Sequence, residues 1–494
     1  MGLNALDAGV IAIYLAAVTI FGLRFRSGPS TLRNYFLADN TAPWWAISLS
    51  IVAAETSTLT IISVPGLAYA KNFQFLQLVF GYVVGRVVVS FVLIPRYFRG
   101  RLMTAYELIG HRFGQRLRGF TAGIFLLTRA AAESVRVFAV AIVVRIAMGG
   151  LLTGMGDLGR DICAIAVVTL LTLAYTFEGG MAAVIWTDVV QLAIYVTATV
   201  ASLFIIVKLV PGGLPVLLNT ASAAGKFRVF DLSLNLTTTY TLWSGVIGGT
   251  FLTIASHGTD QLIVQRLLAA RDERQSKLAL LSSGVAVLIQ FSLFLLAGAM
   301  LFVFYRIVAP DVAFSRTDTI FPEFVVAYLP HGMSGLLIAA ILAAAMSNLS
   351  AALNSLSSTT VVDFYIRVRP DSSEQERVRL SRISTTAWAL LLFAFALVAR
   401  HGGRVLEAGL SIASVAYGSL LGVFLLGVLT RKASENGTTV GMFCGLLLNL
   451  FLWLRTNLSF AWYVVFGSTA TFIVGYAASW FLPTGKADKT AEDL

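Results

Sequence analysis

Charged side chains inside apolar runs are the first features of this sequence that could do chemistry. One stretch reads Arg129-Ala-Ala-Ala-Glu133-Ser-Val-Arg136. Spacings of four and three put its three charges on one face of a helix. Arg86 stands in the middle of another apolar run. Glu55 lies in the cluster Ala53-Ala54-Glu55-Thr56-Ser57-Thr58, and His257 in Ser256-His257-Gly258-Thr259-Asp260. Charges at membrane depth are costly, so they face a cavity and find partners. Glu133 is expected between Arg129 and Arg136. Arg86, Arg129 and Arg136 set against Glu55 and Glu133 leave one positive charge over. An anionic solute, such as a carboxylate, would complete that set, because a planar guanidinium matches a carboxylate. A static internal salt-bridge network fits the same residues.

Asp188 is a further carboxylate in an apolar run. Its bland reading is a helix-end group meeting cytoplasmic water or a nearby arginine. Catalytic readings fare worse. The four histidines lie far apart, and the two cysteines, Cys163 and Cys444, each sit within an apolar stretch. That pattern offers neither a disulfide scaffold nor a metal cluster. No nucleophile elbow, phosphate loop or filter-like carbonyl loop is visible. An enzyme is therefore not expected, nor is a channel.

The elements that hold these residues are membrane helices. Of the 494 residues, 57% are hydrophobic and 12% charged, and the mean hydropathy is +0.82. A soluble chain carries about a quarter charged residues. The net charge of +11 does not imply nucleic acid, because basic residues cluster in short loops between apolar spans.

The expected fold is an all-α polytopic membrane protein of about thirteen spans, each near bilayer length. They lie near 8–24, 43–70, 75–95, 119–147, 160–177, 181–207, 239–264, 277–306, 333–362, 381–400, 405–429, 435–454 and 459–481. Alternate loops carry the basic residues. These are Arg24, Arg26 and Arg33; Arg96, Arg99, Arg101, Arg112, Arg116 and Arg118; Arg266, Arg271, Arg274 and Lys277; Arg367 to Arg382; and Arg431 with Lys432. The positive-inside rule then puts the N-terminus outside and the C-terminus in the cytoplasm, within the plasma (inner) membrane. No basic residue precedes the first apolar run, so it reads as a helix rather than a cleavable signal. Leu6 stands where a myristoylation motif needs Ser or Thr.

Spans 2 and 7 are both interrupted by polar clusters, five spans apart. Backbone leaves helical form at membrane depth only where protein or a cavity satisfies it. Matching interruptions in two halves point to a binding site between inverted repeats, the arrangement of LeuT-type transporters.

Several stretches resemble the sodium:solute symporter family of sugar, proline, sialic acid and monocarboxylate carriers. Glu178-Gly179-Gly180-Met181-Ala182-Ala183-Val184-Ile185-Trp186-Thr187-Asp188-Val189-Val190-Gln191 resembles the family's GG-x-x-AV-x-x-TD-x-x-Q signature. Thr259-Asp260-Gln261 through Gln265-Arg266 follows. Then come Ala344-Ala345-Met346-Ser347-Asn348, Leu353-Asn354-Ser355 and Asp363-Phe364-Tyr365. The loop from Tyr106-Glu107-Leu108 to Arg112-Phe113-Gly114 also fits.

The resemblance implies a five-plus-five inverted repeat, with a leading helix at 8–24 and repeats at 43–207 and 239–429. Two further helices at 435–481 and a cytoplasmic tail at 482–494 complete one transport domain. It implies sodium-driven symport of a small organic solute by alternating access. It places a sodium site at the main-chain carbonyls of Ala53, Thr56 and Ala344 with the side chains of Ser347 and Asn348. Sodium is a hard cation that prefers oxygen ligands. Asn348 departs from the family pattern, where a second Ser or Thr is usual. Asp188 would serve sodium passage or a further sodium site. Solute contacts are expected at His257 and at Ser57, Thr60, Thr253, Ser256 and Ser414, beside the charged residues above. Alternatives are proton coupling through Glu55, Asp188 and His257, or a neutral sugar or amino acid as solute. The remaining expected partner is membrane lipid, and the chain reads as a monomer.

Overall fold

The computed structural model describes residues 3–24, 31–100, 102–147, 154–314, 316–399 and 405–482. The expected tail, Arg26 and Arg101 lie outside the described residues, as does the side chain of Glu178. Among the described residues the fold is helical throughout, with one isolated bridge between Ala42 and Ala270.

Helix α1 (Ala5–Leu23) opens with a reciprocal cap between Asn4 and Asp7. The second span breaks in two. Helix α2 (Trp44–Glu55) ends at Thr56, whose φ of −86° and ψ of 87° leave the helical region. Helix α3 (Thr58–Ala70) restarts at an angle of 65°. Local chemistry drives the break: the Thr56 hydroxyl donates to the Val52 carbonyl at 2.7 Å, an alternative partner for helix backbone. Helix α4 (Leu76–Val92) presents Gly81 and Gly85 to the seventh span. A Cβ on Gly85 would stand 2.7 Å from the Thr250 carbonyl, so small residues set that close approach.

Helix α5 (Gln115–Ala147) carries the Arg-Glu-Arg face. Gly114 precedes it with φ +132°, and Glu435 accepts the backbone N–H groups of Arg116 and Leu117 at 3.1 and 3.0 Å. An acid there suits a helix N-terminus. Helix α6 (Asp157–Leu209) consists of two arms that meet at Gly180, where φ is +53° and ψ −147°. That conformation is open to glycine only, and a Cβ would run into the Tyr35 carbonyl. The expected spans 160–177 and 181–207 are these two arms.

The seventh span enters through a π turn at Ser244–Gly248. It forms α7 (Gly249–Gly258), breaks at Thr259 and Asp260, and resumes as α8 (Gln261–Leu268). Helix α9 (Glu273–Ile307) follows, then α10 (Met333–Thr359), α11 (Glu374–Ala399), α12 (Val405–Leu429), α13 (Glu435–Arg455) and α14 (Ala461–Phe481). By length and apolarity nine helices among the described residues could cross a membrane, or ten if the bent pair α2–α3 is one span. The expected spans 119–147, 160–177 and 239–264 are helical but do not meet that measure.

Helix α10 is the axis of the protein, almost wholly buried along its length. Its N-terminus is held by α1: the buried Asp7 carboxylate accepts the N–H groups of Gly332 and Gly335 at 2.6 and 3.0 Å. In the long connection after α6, the Lys226 ammonium donates to the Lys71 carbonyl at 3.0 Å and covers the Phe302 ring.

Candidate functional site

The break between α2 and α3 opens onto a cavity of about 120 Å³. Glu55, Ser57 and Thr60 line one wall, and Thr253, Ser256, His257 and Asp260 line the opposite one. Arg129 and Arg136 of α5 and Tyr417 of α12 complete the polar surface, while Phe75, Tyr82 and Phe291 supply apolar area. Both interrupted spans thus meet at one cavity. Its room and polar lining suit several waters or a small polar solute.

Three charged groupings surround it. In the first, Glu55 binds the Arg86 guanidinium through one oxygen, and the other lies 2.9 Å from His257 Nε2. Arg86 is buried behind Glu55, donating also to Ser283 Oγ and the Tyr82 carbonyl, both at 3.1 Å. The Ser256 hydroxyl lies 2.9 Å from His257 Nδ1.

In the second, Arg129 reaches Glu133 at 2.9 Å and Asp260 at 3.3 Å. Arg136 stands 3.7 Å from Glu133 and donates to Asn348 Oδ1 at 3.2 Å. The Asn348 amide donates to Glu133, and the Tyr417 hydroxyl to Asp260. Glu133 therefore lies between two arginines, as its spacing implied. The leftover positive charge does not survive, because Asp260 supplies the missing carboxylate.

In the third, Asp188 accepts from Ser50 at 2.5 Å, from Ser347 at 2.6 Å and from Arg266 at 2.9 Å. Arg266 also donates to Ser50 at 2.8 Å and to the Leu262 carbonyl at 2.8 Å. These four residues are fully buried. Counting Arg266 among the basic loop residues is thus incorrect: α8 carries it back into the core, where Asp188 balances it. Asp188 forms a group apart from Glu55 and His257.

Eight of the eleven expected solute residues line the cavity: Glu55, Ser57, Thr60, Arg129, Arg136, Thr253, Ser256 and His257. Arg86 and Glu133 stand behind it as ion-pair partners. Ser414 is buried on α12, while its neighbours Ala413 and Tyr417 reach the cavity. Of the expected sodium ligands, Ala53 and Thr56 sit at the end of α2, and Ala344, Ser347 and Asn348 on α10. Thr58 Oγ1 reaches the Ile341 carbonyl at 3.4 Å, so the break lies against α10. Asn348 directs its amide into the arginine network.

Sequence reasoning overlooked Asp260, Tyr417 and Arg266 as members of these groupings. Asp260 and Arg266 were legible as charges within or next to apolar runs, but their partners were not. Tyr417 carries no such signal.

The second break is secured from the loop after α4. The Tyr97 hydroxyl donates to the Gly258 carbonyl, and the Tyr106 hydroxyl to the Thr259 carbonyl at 3.1 Å. The Gln261 side chain accepts the Ala105 N–H at 2.8 Å and donates to the Met103 carbonyl at 3.1 Å. The loop motif around Tyr106 therefore satisfies backbone that the break leaves open.

Residues 35–445 match the sodium:solute symporter family. The chain belongs to that family. A sodium/sialic acid symporter of Proteus mirabilis is 28% identical over 95% of this chain and 94% of its own length. The human sodium/iodide cotransporter is 28% identical over 92% of this chain and 70% of its own. A solved sodium-coupled sialic acid symporter, substrate-bound and outward-open, superposes with a TM-score of 0.87 at 27% identity, covering 98% of this chain and 99% of that one. A nucleobase-cation-symport-1 transporter shares the fold, with a TM-score of 0.54 at 13% identity. This symporter is an integral membrane protein of LeuT-like fold that couples sodium to the movement of a small solute. Its matched family and relatives are transporters.

Proposed function

We propose that this symporter moves its solute by alternating access, with sodium and solute bound between two inverted five-helix repeats at 43–207 and 239–429. In this reading α1 leads, the helices of 435–481 close the chain, and about thirteen spans cross the bilayer. One observation carries it: the interrupted second and seventh spans line a single cavity, each contributing polar side chains to a largely apolar wall. The distribution of basic loop residues supports an outside N-terminus, a cytoplasmic C-terminus and residence in the plasma (inner) membrane.

Sodium would take the main-chain carbonyls of Ala53, Thr56 and Ala344, with Ser347 Oγ. Ser347 donates its proton to Asp188, which leaves the hydroxyl lone pairs available to a cation. Asn348 Oδ1 has one further lone pair beyond the bond from Arg136. Asp188 is balanced by Arg266 and orients Ser347 rather than standing free for a further ion. The solute is a small organic molecule, in keeping with relatives named for sialic acid, monocarboxylates and multivitamins.

The test is uptake into proteoliposomes under an imposed sodium gradient. Solute should accumulate with sodium outside and stop accumulating when potassium replaces it. Equal accumulation without sodium, driven instead by a proton gradient, would overturn the coupling assignment.

A further inference from the structure

Glu55 has a feature that sodium coupling does not use. It is a carboxylate at a helix break, and its side chain remains 20% exposed while Arg86, behind it, is 1% exposed. Arg86 takes one oxygen and His257 meets the other. A carboxylate offers about four acceptor positions, so lone pairs remain on the side facing the cavity. The group is held by the break itself and by α4 through Arg86, and His257 of α7, which Ser256 contacts in turn, stands 2.9 Å from it. Such a fixed acceptor is built for recognition.

Around the cavity, positive charge is already spoken for. Arg86 and Arg129 are bonded to Glu55, Glu133 and Asp260, and Arg136 stands 3.7 Å from Glu133, so three carboxylates balance three guanidiniums. Asn348 further ties Arg136 to Glu133 by bonding to both. A bare anion entering here meets arginines whose charge carboxylates already balance, and it meets the Glu55 carboxylate. A solute carrying O–H or N–H groups meets an acceptor that can bind it.

From this geometry we infer that Glu55 selects the solute by accepting a hydrogen bond from it. The solute class is therefore a hydroxylated, amide- or amine-bearing molecule, and halides and donor-free carboxylates are excluded. Arg86 and His257 act as positioning residues for Glu55. Sites built to bond a polar group reject analogues that lack it far more strongly than apolar pockets reject size differences. The inference rests on the cavity being the solute site of the symporter.

The test uses purified protein in proteoliposomes with a sodium gradient and a defined mixture of sugars, amino acids, acetate and iodide. Mass spectrometry reads what accumulates. A hydroxylated or amino compound should accumulate, with acetate and iodide at the level of the sodium-free control. Sodium-driven accumulation of acetate or iodide would overturn the inference while leaving symport intact. Accumulation indifferent to sodium would instead count against symport itself.

The transported compound then serves as probe for two variants. Glu55→Gln removes the charge that Arg86 needs, so Glu55→Asp, which keeps it and withdraws the oxygens, guards against misfolding. Either should raise KM for the solute about tenfold or more, the size expected for one charge-assisted hydrogen bond. Sodium activation should stay near wild type in Glu55→Asp. An unchanged solute KM in a correctly folded Glu55→Asp protein would overturn the assignment.

Discussion

The two broken spans meet at the same cavity but are built differently. At the first break, between α2 and α3, the Thr56 hydroxyl bonds back to Val52, and one distant side chain, Gln290 of α9, donates to that hydroxyl at 2.6 Å. Its side chains, Glu55, Ser57 and Thr60, turn to the cavity. At the second break, between α7 and α8, distant residues hold the backbone. Tyr97, Tyr106, Gln261 and the Arg129–Asp260 pair bind it to the loop after α4 and to α5. The first break turns its polar side chains to the cavity, and the second divides its own between the cavity and the fold. Interrupted helices at matching positions need not share a role.

The largest effect that would break this comparison is at Asp260. Asp260→Ala removes the partner of Arg129 and Tyr417 and the cap on Leu262 N–H, at 2.9 Å. Breaking a buried ion pair costs about 3–5 kcal/mol. The protein should lose most of its thermal stability in detergent. A melting midpoint near wild type would mean the second break is not anchored through this carboxylate.

Asn348→Ser comes next. It restores the family's usual hydroxyl next to Ser347 but withdraws the amide from Glu133 and Arg136. The loss should be about 1–3 kcal/mol, the range for buried groups left unsatisfied. Thermal melts with and without sodium measure it. An equally stable variant with tighter sodium activation would favour Asn348 as an ion ligand over its role as brace for the arginines.

Tyr106→Phe tests the loop alone, leaving the Thr259 carbonyl without its partner. About 1 kcal/mol should be lost, the usual net worth of one hydrogen bond, with solute KM unaltered. A changed KM at full stability would show that the second break also serves the solute. Ser57→Ala is the opposite case and the smallest in stability. Its cost to folding should stay within about 0.5 kcal/mol, while solute KM rises. A stability loss without a KM change would erase the distinction between the two breaks.

Much of the architecture was legible before any coordinates. Apolar runs located the helices, and the clusters at 53–58 and 256–260 located both breaks. The apolar runs at 160–177 and 181–207 were read as two spans, and the structure shows that they meet at Gly180. The charge balance was misjudged by leaving out Asp260, and that omission left the positive charge to which an anionic solute was matched. Arg266 was misread because its position after an apolar run looks like a loop, although α8 is short and buried on all sides.

The difference has a physical basis. Hydropathy, helix breaking and positive φ are properties of neighbouring residues, and spacings of three and four set which side chains share a helix face. The sequence therefore determined the membrane class, the interrupted spans and the link between Glu133 and its two arginines. Partners across helices are another matter. Asp260 lies 131 residues from Arg129, and Arg266 lies 78 from Asp188. Which carboxylate meets which guanidinium depends on how helices cross and rotate, and packing over the whole core sets that. Only the tertiary structure could decide that three carboxylates balance the arginines around the cavity and that Glu55 still faces it.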